Sequence, residues 1–187
     1  MSVNEATKRF YELVWPNRAL VLRMAHILLS SEAEAEDLAQ ETMIKAFRFI
    51  ERFKDGTDIK AWLVTILRNA RIDLIRSKQS SGGIVSLEQL DVEPAEHRTK
   101  GENDSWEKPE DVLEAISDQQ IIAALKQLPE EIRWTLLLVD VEAMDHADAA
   151  RILDVPVGTV KSRTHRGRAM LRTALAPLAR DFRLIPD

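Results

Sequence analysis

Lys161, Ser162, His165 and Arg166 recur at one, three and four residue steps, so a helix would gather them on one face together with Arg172. Cations neutralise phosphates, while hydroxyl, imidazole and guanidinium groups hydrogen-bond base edges, which is the chemistry of reading duplex DNA through its major groove. The opposite side of the same helix carries Val160, Thr164, Gly167 and Leu171, a face suited to packing. These residues lie in DVPVGTVKSRTHRGRAMLR, Asp154 to Arg172, which has no acidic residue after Asp154. Just upstream, DHADAARIL predicts a short helix burying Ala147, Ala150, Ile152 and Leu153, and Asp154-Val155-Pro156 then turns the chain. Two helices on a short turn make a helix-turn-helix. A solvated basic helix in a bundle would share the spacing but would not need the turn.

The elements that carry this motif fit an all-α protein. The chain has 187 residues, 45% hydrophobic and 30% charged, enough for one or two small cores. The beginning, MSVNEATKRF, lacks the apolar stretch of a signal peptide, and no apolar run approaches spanning length, so the expected location is the cytoplasm. There is no cysteine, which excludes disulfides, thiolate metal sites and direct thiol redox sensing.

A net charge of −5 is unexpected for a DNA binder until it is divided along the chain. Ser81 to Asp118 holds eleven acidic residues against Arg98, Lys100 and Lys108, so the remainder is net positive. Ser80-Ser81-Gly82-Gly83, Pro94 and Pro109 interrupt this stretch, which reads as a flexible acidic linker at 81–112 between domains at 1–80 and 113–187.

In the first domain Phe10, Leu13, Val14, Val21, Leu22, Ala25 and Leu28 predict a helix broken near Pro16. Ser30 or Ser31 can cap the next helix with Glu34 in its first turn. Ala35, Leu38, Ala39, Thr42, Met43, Ala46, Phe47 and Ile50 form that helix's inner stripe, leaving Glu36, Asp37, Gln40, Glu41, Lys45 and Arg48 outside. Gly56 suits a left-handed turn in the loop Lys54 to Asp58. A further helix then buries Ile59, Trp62, Leu63, Ile66, Leu67, Ala70 and Leu74, with Lys60, Arg68, Asn69, Arg71, Arg76 and Lys78 outside or at its edge. A tryptophan at core spacing is assigned to the core rather than to a stacking platform. In the second domain a helix from Ala115 to Leu128 turns Ile116, Ile121, Ala124, Leu125 and Leu128 inward. Pro129 opens the next, with Glu130 and Glu131 in its first turn and Ile132, Leu136, Leu137 and Val141 in the core.

Two stretches resemble the extracytoplasmic-function group of bacterial RNA polymerase sigma factors. ALKQLPEEIRWTLLLVDVEAMDHADAARILDVPVGTVKSRTHRGRAML, Ala124 to Leu171, resembles that group's promoter-recognition domain. AEAEDLAQETMIKAFRFIERF followed by GTDIKAWLVTILRNARIDLIRSKQ resembles the domain that binds core polymerase and melts DNA. The order of the two matches is that of the family, which makes the pair more specific than either alone.

The resemblance implies two small helical domains joined by the acidic linker, the second a helix-turn-helix domain. It implies a protein that joins core RNA polymerase, recognises promoter DNA at two elements and helps open the strands. Asp37, Gln40 and Glu41 in AEDLAQET would contact core polymerase. Lys54, Gly56, Thr57 and Asp58 would hold an extruded base, with Arg68, Asn69, Arg71 and Arg76 along the melted strand. Thr159, Lys161, Ser162, Arg163, His165, Arg166 and Arg168 would contact the upstream element, Arg166 reading bases and Arg168 a phosphate. The linker would thread polymerase channels otherwise filled by nucleic acid. FKDGTDIKAWL and GTVKSRTHRGR look closest to the branch controlled by anti-sigma proteins that often bind zinc and answer redox or envelope stress.

The chain departs from the family pattern at three places. Val139 replaces a basic residue common on the reading face, Ala143 a glycine at the helix corner, and Ala149 a usual isoleucine. Two rivals stay open on sequence alone: a helix-turn-helix regulator that binds operators without polymerase, and a polymerase-binding adaptor that no longer reads DNA. No enzyme is expected. His26, His97, His146 and His165 lack metal-ligand spacing, and there is no phosphate-cradling glycine loop, nucleophile motif or cofactor signature.

Overall fold

The computed structural model describes residues 3–79 and 118–181, in which every regular element is helical. The linker assigned to 81–112 and its charge lie outside the described residues, as do Ile116 and the start of the helix expected from Ala115. The chain forms two compact units, Met1–His97 and Arg98–Asp187.

In the first unit, α1 (Val3–Arg9) runs into a wide π turn at Phe10–Val14 and a 3-10 turn at Trp15–Asn17 before α2 (Arg18–Leu28). Pro16 has no amide to donate, so the helical ladder stops there. Asn17 Nδ2 donates to the Leu13 carbonyl at 2.8 Å, which supplies one of the bonds lost at the break. The Ser31 hydroxyl accepts the Glu34 amide and caps α3 (Glu32–Phe49), as expected. A 3-10 turn, Ile50–Arg52, and the loop to Asp58 lead into α4 (Ile59–Gln79). Val14, Val21, Met24, Ala25, Ala35, Ile50, Leu63 and Leu67 make a core in which α2 and α4 both pack on α3, with Trp62 buried among them.

Three positions differ from the expected pattern. Leu22 is 41% exposed, because the turns around Pro16 shift the phase of α2 and bury Leu20, Met24 and Ile27 instead. Phe47 is 40% exposed and meets Phe10 edge to face at 5.3 Å, covering the rim of the core rather than entering it. Lys45, expected outside, is buried, because a carboxylate on α4 receives it.

The second unit contains α5 (Asp118–Gln127), α6 (Glu130–Leu136) with a π turn at Leu137–Val141, α7 (His146–Leu153) and α8 (Val157–Asp181). Ala124, Leu125, Leu128, Ile132, Leu136, Leu137, Leu138, Ile152 and Val160 are its core. Trp134, not singled out from the spacing, is buried as well, whereas Val141 is exposed at the end of the π turn. Ala147 is exposed and Ala149 takes the buried place on α7. A small residue there brings α7 close to its neighbours, where isoleucine would need more room.

Candidate nucleic-acid interface

The helix-turn-helix is built by capping. Asp145 Oδ1 accepts the Asp148 amide at 2.7 Å and starts α7. Asp154 adopts φ +55° and its amide donates back to the Ala150 and Arg151 carbonyls, ending α7 in a left-handed cap. Pro156 precedes α8, whose first turn closes through the Thr159 amide and the Pro156 carbonyl at 2.9 Å. At the other end of α7, Ala143 has φ +53°, the left-handed corner for which glycine is the unstrained residue.

Along α8 the two faces separate as the spacing predicts. Val160, Thr164 and Gly167 are buried, with the Thr164 hydroxyl donating to the Val160 carbonyl at 2.9 Å. A Cβ on Gly167 would lie 2.7 Å from Ile132 Cγ2 and 2.8 Å from Leu136 Cδ1, so the glycine sets how closely α8 approaches α6. Lys161, Ser162, His165, Arg166 and Arg172 are exposed, and Thr159 is half-buried beside them. Two cations of the expected set turn toward α6 and its π turn. Arg163 lies 3.6 Å from Glu131, and Arg168 makes a forked pair with Asp140, Nη2 to Oδ1 at 2.8 Å and Nε to Oδ2 at 3.3 Å. Arg168 is thus already held by a carboxylate rather than presented alone. Val139, next to that carboxylate, is half-buried.

In the first unit Lys54, Asp55 and Gly56 form the exposed tip of the loop before α4, with Gly56 at φ +84°. The Thr57 hydroxyl donates to the Lys54 carbonyl at 2.6 Å, closing the turn. Asp58 acts as the N-cap of α4, its Oδ1 accepting the Lys60 amide at 2.8 Å. Arg68, Asn69 and Arg71 are half-buried along α4 and Arg76 is exposed. Trp62 stays in the core, its ring 5.3 Å from that of Phe53.

Asp37, Gln40 and Glu41 are exposed on α3 and share a groove of ≈ 350 Å³ between α3 and α4. Glu34 joins them, while Leu38, Ile44, Ala70 and Leu74 supply apolar lining. An apolar floor beside acidic groups suits a partner helix that offers both aliphatic and basic side chains. Spacing alone did not pick out Ile44, which is 39% exposed. Among the described residues no group of three or more His, Asp or Glu side chains could hold a metal ion, and no helix is long and apolar enough to cross a membrane.

Residues 13–81 match the family model for sigma-70 region 2, and residues 118–171 match that for sigma-70 region 4. The chain is 34% identical to the ECF RNA polymerase sigma factor SigE of Mycolicibacterium smegmatis, over 88% of this chain and 61% of that longer relative. It is 33% identical to the RNA polymerase sigma-H factor of Pseudomonas aeruginosa, over 96% of this chain and 93% of the relative. With SigW of Bacillus subtilis it shares 31% identity over 90% of each chain. Among solved structures it is similar to RpoE of Bartonella quintana, solved with the anti-sigma factor NepR, with a TM-score of 0.66, 29% identity and coverage of 90% of this chain and 98% of that one. CnrH, solved with the cytosolic domain of CnrY, shares the fold at a TM-score of 0.60 and 21% identity, over 94% of this chain and 95% of that one.

Proposed function

The chain belongs to the sigma-70 family, in its extracytoplasmic-function group, and on that premise we propose how its two units divide the work of starting transcription. The α3 face with Asp37, Gln40 and Glu41 docks on core RNA polymerase. The loop Lys54 to Asp58 holds a base extruded from the promoter, and Arg68, Asn69, Arg71 and Arg76 follow the strand's phosphates. The outer face of α8 reads the upstream element, with Lys161, Ser162, His165 and Arg166 in the groove and Thr159 at its edge. Arg163 and Arg168 hold α8 at its angle to α6, and Arg168 is shared between Asp140 and a phosphate. The acidic connector occupies channels in the polymerase that nucleic acid otherwise fills, and RNA synthesis itself is carried out by the polymerase. The protein acts in the cytoplasm.

The observation that carries this reading is the division of α8, with its packing residues buried and Lys161, Ser162, His165 and Arg166 exposed together. Control by an anti-sigma protein, in a stress response, is part of the proposal and draws on the likeness to RpoE in its complex with NepR. In vitro transcription with core polymerase and a library of genomic fragments tests the whole. Discrete start sites that require this chain are expected, and their alignment defines the promoter. Tight, selective duplex binding without polymerase, with no start sites in its presence, would instead support an operator-binding regulator.

A further inference from the structure

Arg9, at the end of α1, reaches across to the segment that enters the loop before α4. Its Nη2 donates to the Phe53 carbonyl at 2.7 Å and to the Asp55 carboxylate, and its Nη1 donates to the Ile50 carbonyl at 3.4 Å. The guanidinium also lies 5.8 Å from the centre of the Phe53 ring, whose neighbour in the core is Trp62. Phe53 is therefore fixed twice, through its ring in the core and through its carbonyl on Arg9. The Ile50 carbonyl already accepts the Phe53 amide that closes the 3-10 turn at 3.2 Å, so Arg9 adds a second donor to it, while the Phe53 carbonyl lies at the C-terminal end of that turn, where a cation is favoured.

We propose that Arg9 is a positioning residue for strand opening, clasping the entrance of the Lys54–Asp58 loop so that the loop tip is shaped before a base arrives. The proposal rests on the reading of that loop as the base-holding pocket. The Asp55 side chain is 84% exposed, so its ion pair with Arg9 contributes little and the two backbone bonds carry the clasp. The exit of the loop is held separately, by the Asp58 cap on α4. Only the stretch between these anchors, Lys54 to Gly56 with Thr57 folded against it, is left to meet the strand. Extruding a base already costs unstacking energy, and a loop ordered in advance spares the further cost of ordering it. The opening machinery thus extends to α1, although no residue of α1 lines the groove assigned to polymerase.

The test uses the full chain with core polymerase, on a promoter taken from the transcription assay. Arg9→Ala is expected to speed amide exchange at Phe53 and Thr57, the loop amides bonded to the Ile50 and Lys54 carbonyls, about tenfold, as loss of charge-assisted backbone bonds should. Thymine reactivity to permanganate should fall on duplex promoter even at saturating holoenzyme, while binding to core is unchanged. The defect should shrink on a template pre-opened by mismatches, whereas a chain that merely folds poorly stays impaired on both templates. Arg9→Lys, which keeps the charge but has a single donor head, should fall between the two, and it serves as the readout if the alanine variant does not fold. Unchanged loop exchange in both variants overturns the clasp, and faster exchange with normal opening overturns its role in opening. A Lys54→Ala, Thr57→Ala double variant that opens duplex normally overturns the pocket reading itself, and with it the part of Arg9 in strand opening.

Discussion

Lys45 Nζ lies 2.8 Å from Asp73 Oδ2, joining α3 to α4 through a lysine whose side chain is only 5% exposed. Glu41 is 3.7 Å from the same ammonium, so one cation touches both the face assigned to polymerase and the helix assigned to the melted strand. A buried ammonium is tolerated only where carboxylates compensate its lost hydration, and here they come from two elements. Lys45→Ala should lower the stability of the first unit by about 1–3 kcal/mol, less than for a fully buried pair because both carboxylates are partly exposed. Asp73→Asn should cost a similar amount and Lys45→Arg less. Hydrogen exchange of the α3 and α4 amides in the full chain measures this, and equal protection in the alanine variant would reduce the pair to surface decoration.

Charge reversal at Asp37 together with Glu41 should abolish binding to core polymerase while most of the helical content is kept, because both side chains are exposed and Asp73 still pairs Lys45. Asp37 reversed alone, which leaves the Glu41–Lys45 pair intact, should weaken binding with helical content unchanged. A pull-down with core, paired with circular dichroism, reads the two effects separately. Retained binding would take these residues out of the interface.

Arg166→Ala should cost on the order of 1–3 kcal/mol in promoter binding and relax preference at one or two base pairs. Selection from a randomised upstream element shows which. A uniform loss of affinity with the same selected sequence would make Arg166 a phosphate contact.

Asp140→Asn removes the carboxylate that holds Arg168, so binding to all sequences should strengthen and its salt dependence should steepen by a fraction of the roughly one unit that one phosphate contact carries. Arg168→Ala should make the dependence shallower by the rest of that unit. Binding titrations at several salt concentrations separate this from a pure scaffold role, in which Asp140→Asn would weaken binding and leave the slope unchanged.

Gly167→Ala and Ala143→Gly should both run against helix propensity. The first adds a better helix former where a Cβ meets Ile132 and Leu136 below 3 Å, and should destabilise the second unit by about 1–2 kcal/mol through overpacking. The second relieves an exposed alanine at φ +53° and should stabilise it by up to about 1 kcal/mol, net of glycine's greater freedom when unfolded. Thermal unfolding of the two variants beside the parent chain decides the signs.

Sequence alone determines what neighbours within a turn or two decide. The two faces of α8 follow from a 3.6-residue period, the break at Pro16 from a missing amide, the cap at Ser31 and the left-handed Gly56 from local backbone chemistry, and the family from two long motifs. Trp62 belongs to the core by its spacing and is found there. Spacing fails where an irregular turn shifts the phase, exposing Leu22 after the π and 3-10 turns and Val141 at the end of another π turn, and it misplaces Ala147 and Ala149 on a helix of only eight residues. It cannot foresee Lys45 with Asp73, Arg168 with Asp140, or Arg9 with the carbonyls of Ile50 and Phe53, whose partners lie 28, 28, 41 and 44 residues away. A charged side chain on a helix reads as solvated until another element brings an oppositely charged or acceptor group within hydrogen-bond reach, and only tertiary packing makes that encounter.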